Sequence, residues 1–331
     1  MTQVRWFFAA AAMLAGLLAT TARAADTPLV FTTDQAGSTT NASANVIASL
    51  VSQRSPIQVR VRAYTGPEAW FPEVNAGRAQ LGLHFSSSIW MAYNKIDTEL
   101  HTRNIRLLRS SRGTQMLGFM VRSDSPVRAV ADLKGRRVTA DFGGQPAMRR
   151  MSTGGLAAYG MTYADVTPVP VVNVVDAVEA VVDGRADASW GLTTMPVVRQ
   201  GHQKVGLRFM PFDATPERLA AFRAKAFPGA VWATVVEDNE WAPKGGTMVT
   251  QEAAMICHAG LPDDVVTAIL ATLWEHEDAL VRANPSVRGY TNNHAVTEIP
   301  AAPYHPAAIA FYKAKGIWTD AADAAQRAFG N

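Results

Sequence analysis

Ala131-Asp132-Leu133-Lys134-Gly135-Arg136-Arg137-Val138 leads into Thr139-Ala140-Asp141-Phe142-Gly143-Gly144-Gln145-Pro146, and this stretch decides how the chain is read. Asp132 to Gly135 reads as a short helical turn stopped by a glycine, which adopts the left-handed conformation at a helix end. Arg137 to Ala140 follows as a strand. Gly143 and Gly144 permit a tight turn, and Pro146 suits the first position of a helix because its missing N–H is one that position does not need. A helix entered from a strand through glycines is a ready anion site, since its free N–H groups and its dipole face the loop. The stretch predicts an α/β unit with a binding loop at its strand ends.

Part of that unit occurs twice. Val74-Asn75-Ala76-Gly77-Arg78-Ala79-Gln80-Leu81-Gly82-Leu83 parallels Val181-Val182-Asp183-Gly184-Arg185-Ala186-Asp187-Ala188-Ser189-Trp190. In each, a helix ends at a glycine and a short strand follows at once, which predicts two lobes of similar build facing each other across a cleft. Working outward, Pro28–Thr33, Ile57–Ala63 and Ala79–Phe85 read as strands. Asn41–Gln53 and Gly66–Ala76 read as helices, and Ser86-Ser87-Ser88 as the cap of another. Strands alternating with helices predict a sheet of parallel type. Gln115–Arg122 and Gly246–His258 read as two long apolar strands that cross between the lobes. The expected organisation is a signal peptide over 1–24, lobe 1 from 25–114 and 246–331, and lobe 2 from 115–245.

The signal peptide is expected from Arg5, an apolar Trp6–Ala19 run shorter than the ~20 residues of a membrane span, and Ala22-Arg23-Ala24 as a cleavage site. Cleavage after Ala24 would leave a periplasmic protein starting at Ala25. The chain has 31 Lys and Arg against 28 Asp and Glu, and loss of Arg5 and Arg23 leaves 29 against 28, so nothing supports a nucleic-acid partner. The single cysteine, Cys257, rules out an internal disulfide and reads as a small buried hydrophobe. There is no Gly-x-Ser-x-Gly elbow, P-loop, dinucleotide fingerprint or Cys-x-x-Cys. Glu275-His276-Glu277-Asp278 are consecutive and point in different directions on a helix, which suits no metal. Neither an enzyme nor a cofactor is expected.

Ala131–Val138, Leu156–Tyr163 with Asp165-Val166, Asp176–Ala188, Gly260-Leu261-Pro262-Asp263-Asp264 and His305–Gly316 resemble the TAXI family of solute-binding proteins, which serve tripartite ATP-independent periplasmic (TRAP) transporters. The resemblance implies a two-lobe, periplasmic-binding-protein-like (type II) α/β fold. Each lobe would be a mixed, mostly parallel sheet flanked by helices, joined to the other by hinge strands. It also implies a monomer that closes on a small organic acid or amino acid and delivers it to an ion-coupled TRAP permease. Glutamate, glutamine or a C4–C5 dicarboxylate such as 2-oxoglutarate are the solutes it suggests. The family's glycine-rich first loop is here Thr33–Asn41, with Gly37 its only glycine, and the second-lobe loop is Asp141–Pro146.

Ser38, Thr39, Thr40 and Asn41 precede the first helix, and only one of them is needed as its cap. With Gly37, the others are expected to hold a carboxylate, while Gly143, Gly144 and Gln145 offer the equivalent from the second lobe. Tyr64-Thr65-Gly66, Phe85-Ser86 and Trp190-Gly191 lie at expected strand ends and would form the cleft walls. Trp190 in the cleft would favour an apolar ligand body, so the alternative is a receptor for an aromatic or other organic acid acting in sensing. An exported enzyme on the same fold is a third reading. Arg149 and Arg150, in the first turn of the second-lobe helix, oppose its dipole and hint at a nearby anion.

Overall fold

The computed structural model describes residues 28–113, 116–227, 229–236 and 240–330. The expected signal peptide and its cleavage site at Ala24 lie outside them. From the start of the described chain, β1 (Leu29–Asp34), α1 (Thr39–Arg54), β2 (Val59–Tyr64), α2 (Pro67–Asn75), β3 (Leu81–Phe85), α3 (Ser86–Asn94) and β4 (Ile105–Ser110) build most of lobe 1. Lobe 2 opens with β5 (Met116–Arg122), β6 (Arg137–Ala140), α4 (Pro146–Ala157), β7 (Thr167–Pro170), α5 (Val174–Val182) and β8 (Ala188–Leu192). It continues through α6 (Pro196–Val205), β9 (Leu207–Phe209), α7 (Pro216–Lys225), β10 (Val231–Thr234) and β11 (Thr247–Thr250). The chain then returns to lobe 1 with β12 (Ala253–His258), α8 (Asp263–Glu275), α9 (Glu277–Ala283), α10 (Pro306–Ala314) and α11 (Asp320–Ala328).

Each lobe holds one mixed sheet. The first runs β2-β1-β3-β12-β4 and the second β10-β11-β5-β8-β6-β7, with β9 also on β5. The parallel pairs are β2–β1–β3 in one lobe and β7–β6–β8 in the other, each bordered by an antiparallel strand, β12 or β5. The two lobes therefore share a topology, and α1, α2 and α3 correspond to α4, α5 and α6. The helix–glycine–strand junctions match in backbone turn and hydrogen bond. Gly77 and Gly184 both have φ +74°, a backbone region that favours glycine. Beyond them, Ala79 N–H donates to Glu73 O (3.1 Å) and Ala186 N–H to Ala180 O (2.9 Å), the same step of residues in each.

Three local expectations change. The Gly246–His258 run is two strands rather than one, because β11 pairs in lobe 2 and β12 in lobe 1, with the crossing at Gln251-Glu252. Ser86, Ser87 and Ser88 lie inside the first turn of α3, whose N-cap is Phe85, so none of them is the cap. In the second-lobe loop the left-handed residues are Asp141 (φ +66°) and Phe142 (φ +48°), whereas Gly143 and Gly144 are not in that region. Packing and the burial of Phe142, which is fully enclosed, hold this otherwise unfavourable turn.

Candidate functional site

The site is built on Asp34, the last residue of β1. Parallel pairing of β1 with β3 matches Phe31 to Leu81 and Thr32 to Gly82, and continuing that register sets Asp34 beside His84. Asp34 is 3% exposed and its carboxylate collects four side-chain donors. Trp70 Nε1 donates to Oδ1 (3.0 Å), while His84 Nε2 (3.1 Å), Thr40 Oγ1 (3.3 Å) and Gln145 Nε2 (3.0 Å) surround Oδ2. Burial pushes the Asp34 carboxyl up, but His84, Trp70 and Thr40 together outweigh it and hold the group below the ordinary aspartate value. Trp70 reaches the site because Gly82 leaves room for it: a Cβ there would lie 2.5 Å from the indole ring.

One of those four donors comes from the opposite lobe. Gln145 is the N-cap of α4, and its side chain spans the cleft, donating to Asp34 while its Oε1 accepts from Val174 N at the start of α5 (2.7 Å). The lobes also meet through Thr39 Oγ1 and Thr194 Oγ1 (3.0 Å) and through Val197 N–H on Gly37 O (3.4 Å). Further contacts are the Arg150–Asp97 ion pair and the Trp90 and Phe227 rings at 5.7 Å. Gly66 faces Gly144 so closely that a Cβ on Gly66 would overlap the Gly144 carbonyl oxygen. With these contacts made, the cavity beside Asp34 is about 10 Å³, room for about one water. It is lined by Asp34, Ser38, Thr39, Thr40, His84, Phe85, Gln145, Met148, Val174, Leu192 and Met195.

Of the residues expected from the sequence, Ser38, Thr39, Thr40, Phe85 and Gln145 line this cavity, and Gly37, Gly66 and Gly144 form the lobe contact. Ser38 is the N-cap of α1, accepting from Asn41 N (3.1 Å), which leaves the N–H groups of Thr39 and Thr40 without partners inside the helix. Asn41 turns along the helix surface, where its Oδ1 accepts from Asn45 (3.1 Å). Ser86 bonds the Glu252 carbonyl (3.1 Å). Tyr64 is half-buried on the edge strand β2, and Thr65 is exposed. The N–H groups of Gly143, Gly144 and Gln145 bond to Val171, Val172 and Phe142 carbonyls, so that loop contributes the Gln145 side chain rather than an array of free donors.

Trp190 is the clearest correction. It lies in the core of lobe 2, fully buried against Phe119, Phe212 and Phe222, two residues short of the strand end. Leu192, not Trp190, reaches the cavity, and Gly191 packs near Met120. The sequence reading missed Asp34 and His84 because their partnership spans 50 residues of chain. The available signal was that two adjacent parallel strands each carry an ionisable residue at the same height. Some of the buried polar atoms without partners among the described residues lie near the same strand ends (Thr33 Oγ1, both Gln35 amide atoms, His84 Nδ1, Ser87 and Ser88 Oγ, and the Gln251 amide at the crossing), and others, such as Thr102 Oγ1, Arg208 Nε and Trp190 Nε1, lie elsewhere.

The sequence profile of the NMT1-like family matches residues 31–316. Among solved structures, one described as a periplasmic transporter is 17% identical with a TM-score of 0.57, over 92% of this chain and 96% of that one. A protein from Bordetella bronchiseptica RB50 is 16% identical with a TM-score of 0.52, over 92% of this chain and 99% of that one. The periplasmic aliphatic sulphonate binding protein SsuA from Escherichia coli is 15% identical over 91% of each chain, with a TM-score of 0.47. For the first two, at these identities, the likeness is one of fold, and it agrees with the two mixed, helix-flanked sheets described above.

Proposed function

Because this chain belongs to the NMT1-like family, we propose that it is a periplasmic solute receptor that closes on a small carboxylate-bearing molecule and hands it to a membrane permease. The observation that carries this reading is the Gln145–Asp34 hydrogen bond, a buried polar contact made across the cleft by groups that must separate when the lobes part. Opening withdraws one of the donors on Asp34 Oδ2 and frees the Gln145 Nε2, while Gln145 Oε1 stays on Val174 N within lobe 2. A solute with a hydrogen-bond donor can replace Gln145 on Asp34, and its carboxylate can take the free N–H groups and hydroxyls at the start of α1. Asp34 is itself an anion, so this arrangement favours an amino acid such as glutamate or glutamine over a dicarboxylate without an amine. The aromatic-acid alternative loses its support, since Trp190 is not in the cleft.

The cavity of about 10 Å³ cannot hold such a solute without lobe separation, so binding is an opening and reclosure in which the solute shifts the equilibrium only through better contacts in the closed form. The movable units are the sheet of β1 to β4 and β12 with its helices and the sheet of β5 to β11 with its helices, joined at Gln251-Glu252 on the return crossing. The resemblance of Ala131–Val138 and Asp176–Ala188 to TAXI receptors supports a TRAP-type permease as the recipient. A neighbour's description as a sulphonate binding protein adds alkyl sulphonates to the solutes worth trying. The test is thermal shift of ligand-stripped protein, starting at Ala25, with amino acids, dicarboxylates and sulphonates. At a hundredfold excess over Kd the solute stabilises by about 2.7 kcal/mol. Thr39→Val and Gln145→Ala should each weaken the response without unfolding the protein. A flat response across all three classes would sink the small-anion assignment.

A further inference from the structure

Asp97 of lobe 1 and Arg150 of lobe 2 form an ion pair at the surface, apart from the cavity at Asp34. Each partner is fixed inside its own lobe. Lys95, the C-cap of α3, and Asp97 both have left-handed backbone, at φ +55° and +51°. Side chains rarely adopt that region, and two of them do so here because the loop is pinned on either side of Asp97. Ile96 N–H donates to Met91 O (2.9 Å), and Thr98 Oγ1 donates to both carboxylate oxygens of Glu68 on α2 (2.9 and 3.0 Å). In lobe 2, Arg150 Nε donates to the carbonyl of Ala226, the C-cap of α7 (2.9 Å), which leaves Nη1 for Asp97.

An exposed ion pair ordinarily adds little, because two side chains lose freedom in making it and salt screens it. Here much of that freedom is already lost within each lobe, so closure has little left to order. The side chains of Asp97 and Arg150 are 51% and 24% exposed, so mobile ions still reach them. The pair borders a groove of about 400 Å³ whose other described lining comes entirely from lobe 2. That wall carries Arg149 and Lys225 besides Arg150, against Asp141, so Asp97 meets a net positive surface. Arg150 also stands near the start of α4, where a cation opposes the helix dipole and the Asp97 carboxylate offsets it. Gln145 caps the same helix, so the inner contact with Asp34 and the outer one with Asp97 are made and broken by one element. The Trp90 and Phe227 rings, 5.7 Å apart, add a contact between the lobes that carries no charge.

We propose that Asp97 and Arg150 are an ionic latch, which draws the lobes together whether or not the pocket is filled, so that ionic strength sets how often they part. The latch acts against the open form, the one that admits and releases solute. It therefore meters exchange at the pocket without touching what is bound there. It presupposes the lobe opening of the receptor reading, and not the identity of the solute.

Single-molecule energy transfer on the solute-free mature chain, labelled at Arg54→Cys in lobe 1 and Lys134→Cys in lobe 2, reads the closed-to-open ratio. Both positions are exposed, and the native Cys257 is fully buried. Asp97→Asn removes the charge and keeps a residue type that tolerates left-handed backbone. At low salt the ratio should fall about two- to fivefold in Asp97→Asn, the range of an exposed ion pair. Raising salt to about 0.5 M should lower the wild-type ratio by a similar factor and leave the variant unchanged. Arg150→Gln should lower the ratio at least as far, and the double variant no further than Arg150→Gln, since residues that act on each other are not additive. Trp90→Ala should also favour the open form but keep the salt response. A wild-type ratio indifferent to salt, an Asp97→Asn ratio equal to the wild type, or additive effects in the double variant overturns the latch. Each of those outcomes leaves the Asp34 pocket standing, whereas a flat thermal response to every solute would sink that pocket and leave the closed-to-open ratios as they are.

Discussion

The two lobes share a βαβαβ frame and differ in where an acid is buried. Register and topology align β1 with β6 and β3 with β8, so Asp34 corresponds to Asp141, Ser38 to Gln145, Trp70 to Ala177 and His84 to Gly191. Ser38 and Gln145 are both N-caps, of α1 and α4. In lobe 1 the acid is buried beneath Trp70, His84 and Thr40. In lobe 2 the positions of Trp70 and His84 hold Ala177 and Gly191, and Asp141 turns out into left-handed backbone at the exposed surface. A buried carboxylate persists only where donors surround it. The comparison teaches that the shared frame sets where the cleft lies, while a few side chains decide which lobe carries the charge and which supplies a neutral arm.

The largest effect should come from the cores behind that frame. Trp190→Ala should cost about 3–5 kcal/mol of stability and Leu83→Ala, its counterpart, about 2–5 kcal/mol, measured by urea unfolding. Solute affinity of the folded fraction should be unchanged in both; a specific loss of affinity in Trp190→Ala would return that residue to the site. Next, Asp34→Asn should destabilise by about 3 kcal/mol by breaking a buried network, whereas Asp141→Asn should stay within about 0.5 kcal/mol. Equal effects would erase the proposed asymmetry. Gly66→Ala should leave the stripped protein near wild-type stability but weaken solute binding by the equivalent of about 1–3 kcal/mol, because the added methyl meets the Gly144 carbonyl only on closure. Small-angle scattering should show it remaining open at solute concentrations that close the wild type. The smallest effect is on pH dependence. The lowered Asp34 value means that its stabilisation is complete above the unfolded value of about 3.9 and is lost as pH falls from there through the lower folded value. Acid unfolding should therefore be steeper in the wild type than in Asp34→Asn.

Much of this architecture was legible in the chain. Glycines at helix ends, alternating strands and the Pro146 helix start placed β1 to β3 and β6 to β8 with the helices between them. Ser38, Thr39, Thr40 and Gln145 were legible as pocket residues because a helix start needs partners whatever surrounds it. β4, Ile105–Ser110, was not read, since Ile-Arg-Leu-Leu-Arg-Ser has neither strict alternation nor a turn signal to mark it. The short strands β9 and β10 escaped for the same reason. The apolar run over Gly246–His258 looked continuous because hydropathy records burial and not which sheet a residue enters. Trp190 was misplaced by depth: a strand end is only a residue or two long, and composition does not say where it falls. Asp34 and His84 were invisible as a pair until the β1–β3 register set them side by side.

β12 sits between β3 and β4, and apart from a bridge from Leu107 to Tyr304 it is the strand partner of β4 among the described residues. Every strand of the second sheet comes from the single run between Met116 and Thr250, so that sheet can assemble from contiguous chain. The first sheet cannot, because β4 has to wait for a strand made only after the whole of lobe 2 has been passed. Contacts so distant in sequence carry a large loop-closure entropy and form late. The inserted lobe can thus close its sheet from its own chain, whereas its host needs β12 to join β4 to the rest. Capture of β12, far from any atom that touches solute, is the step that should govern how fast a competent receptor appears.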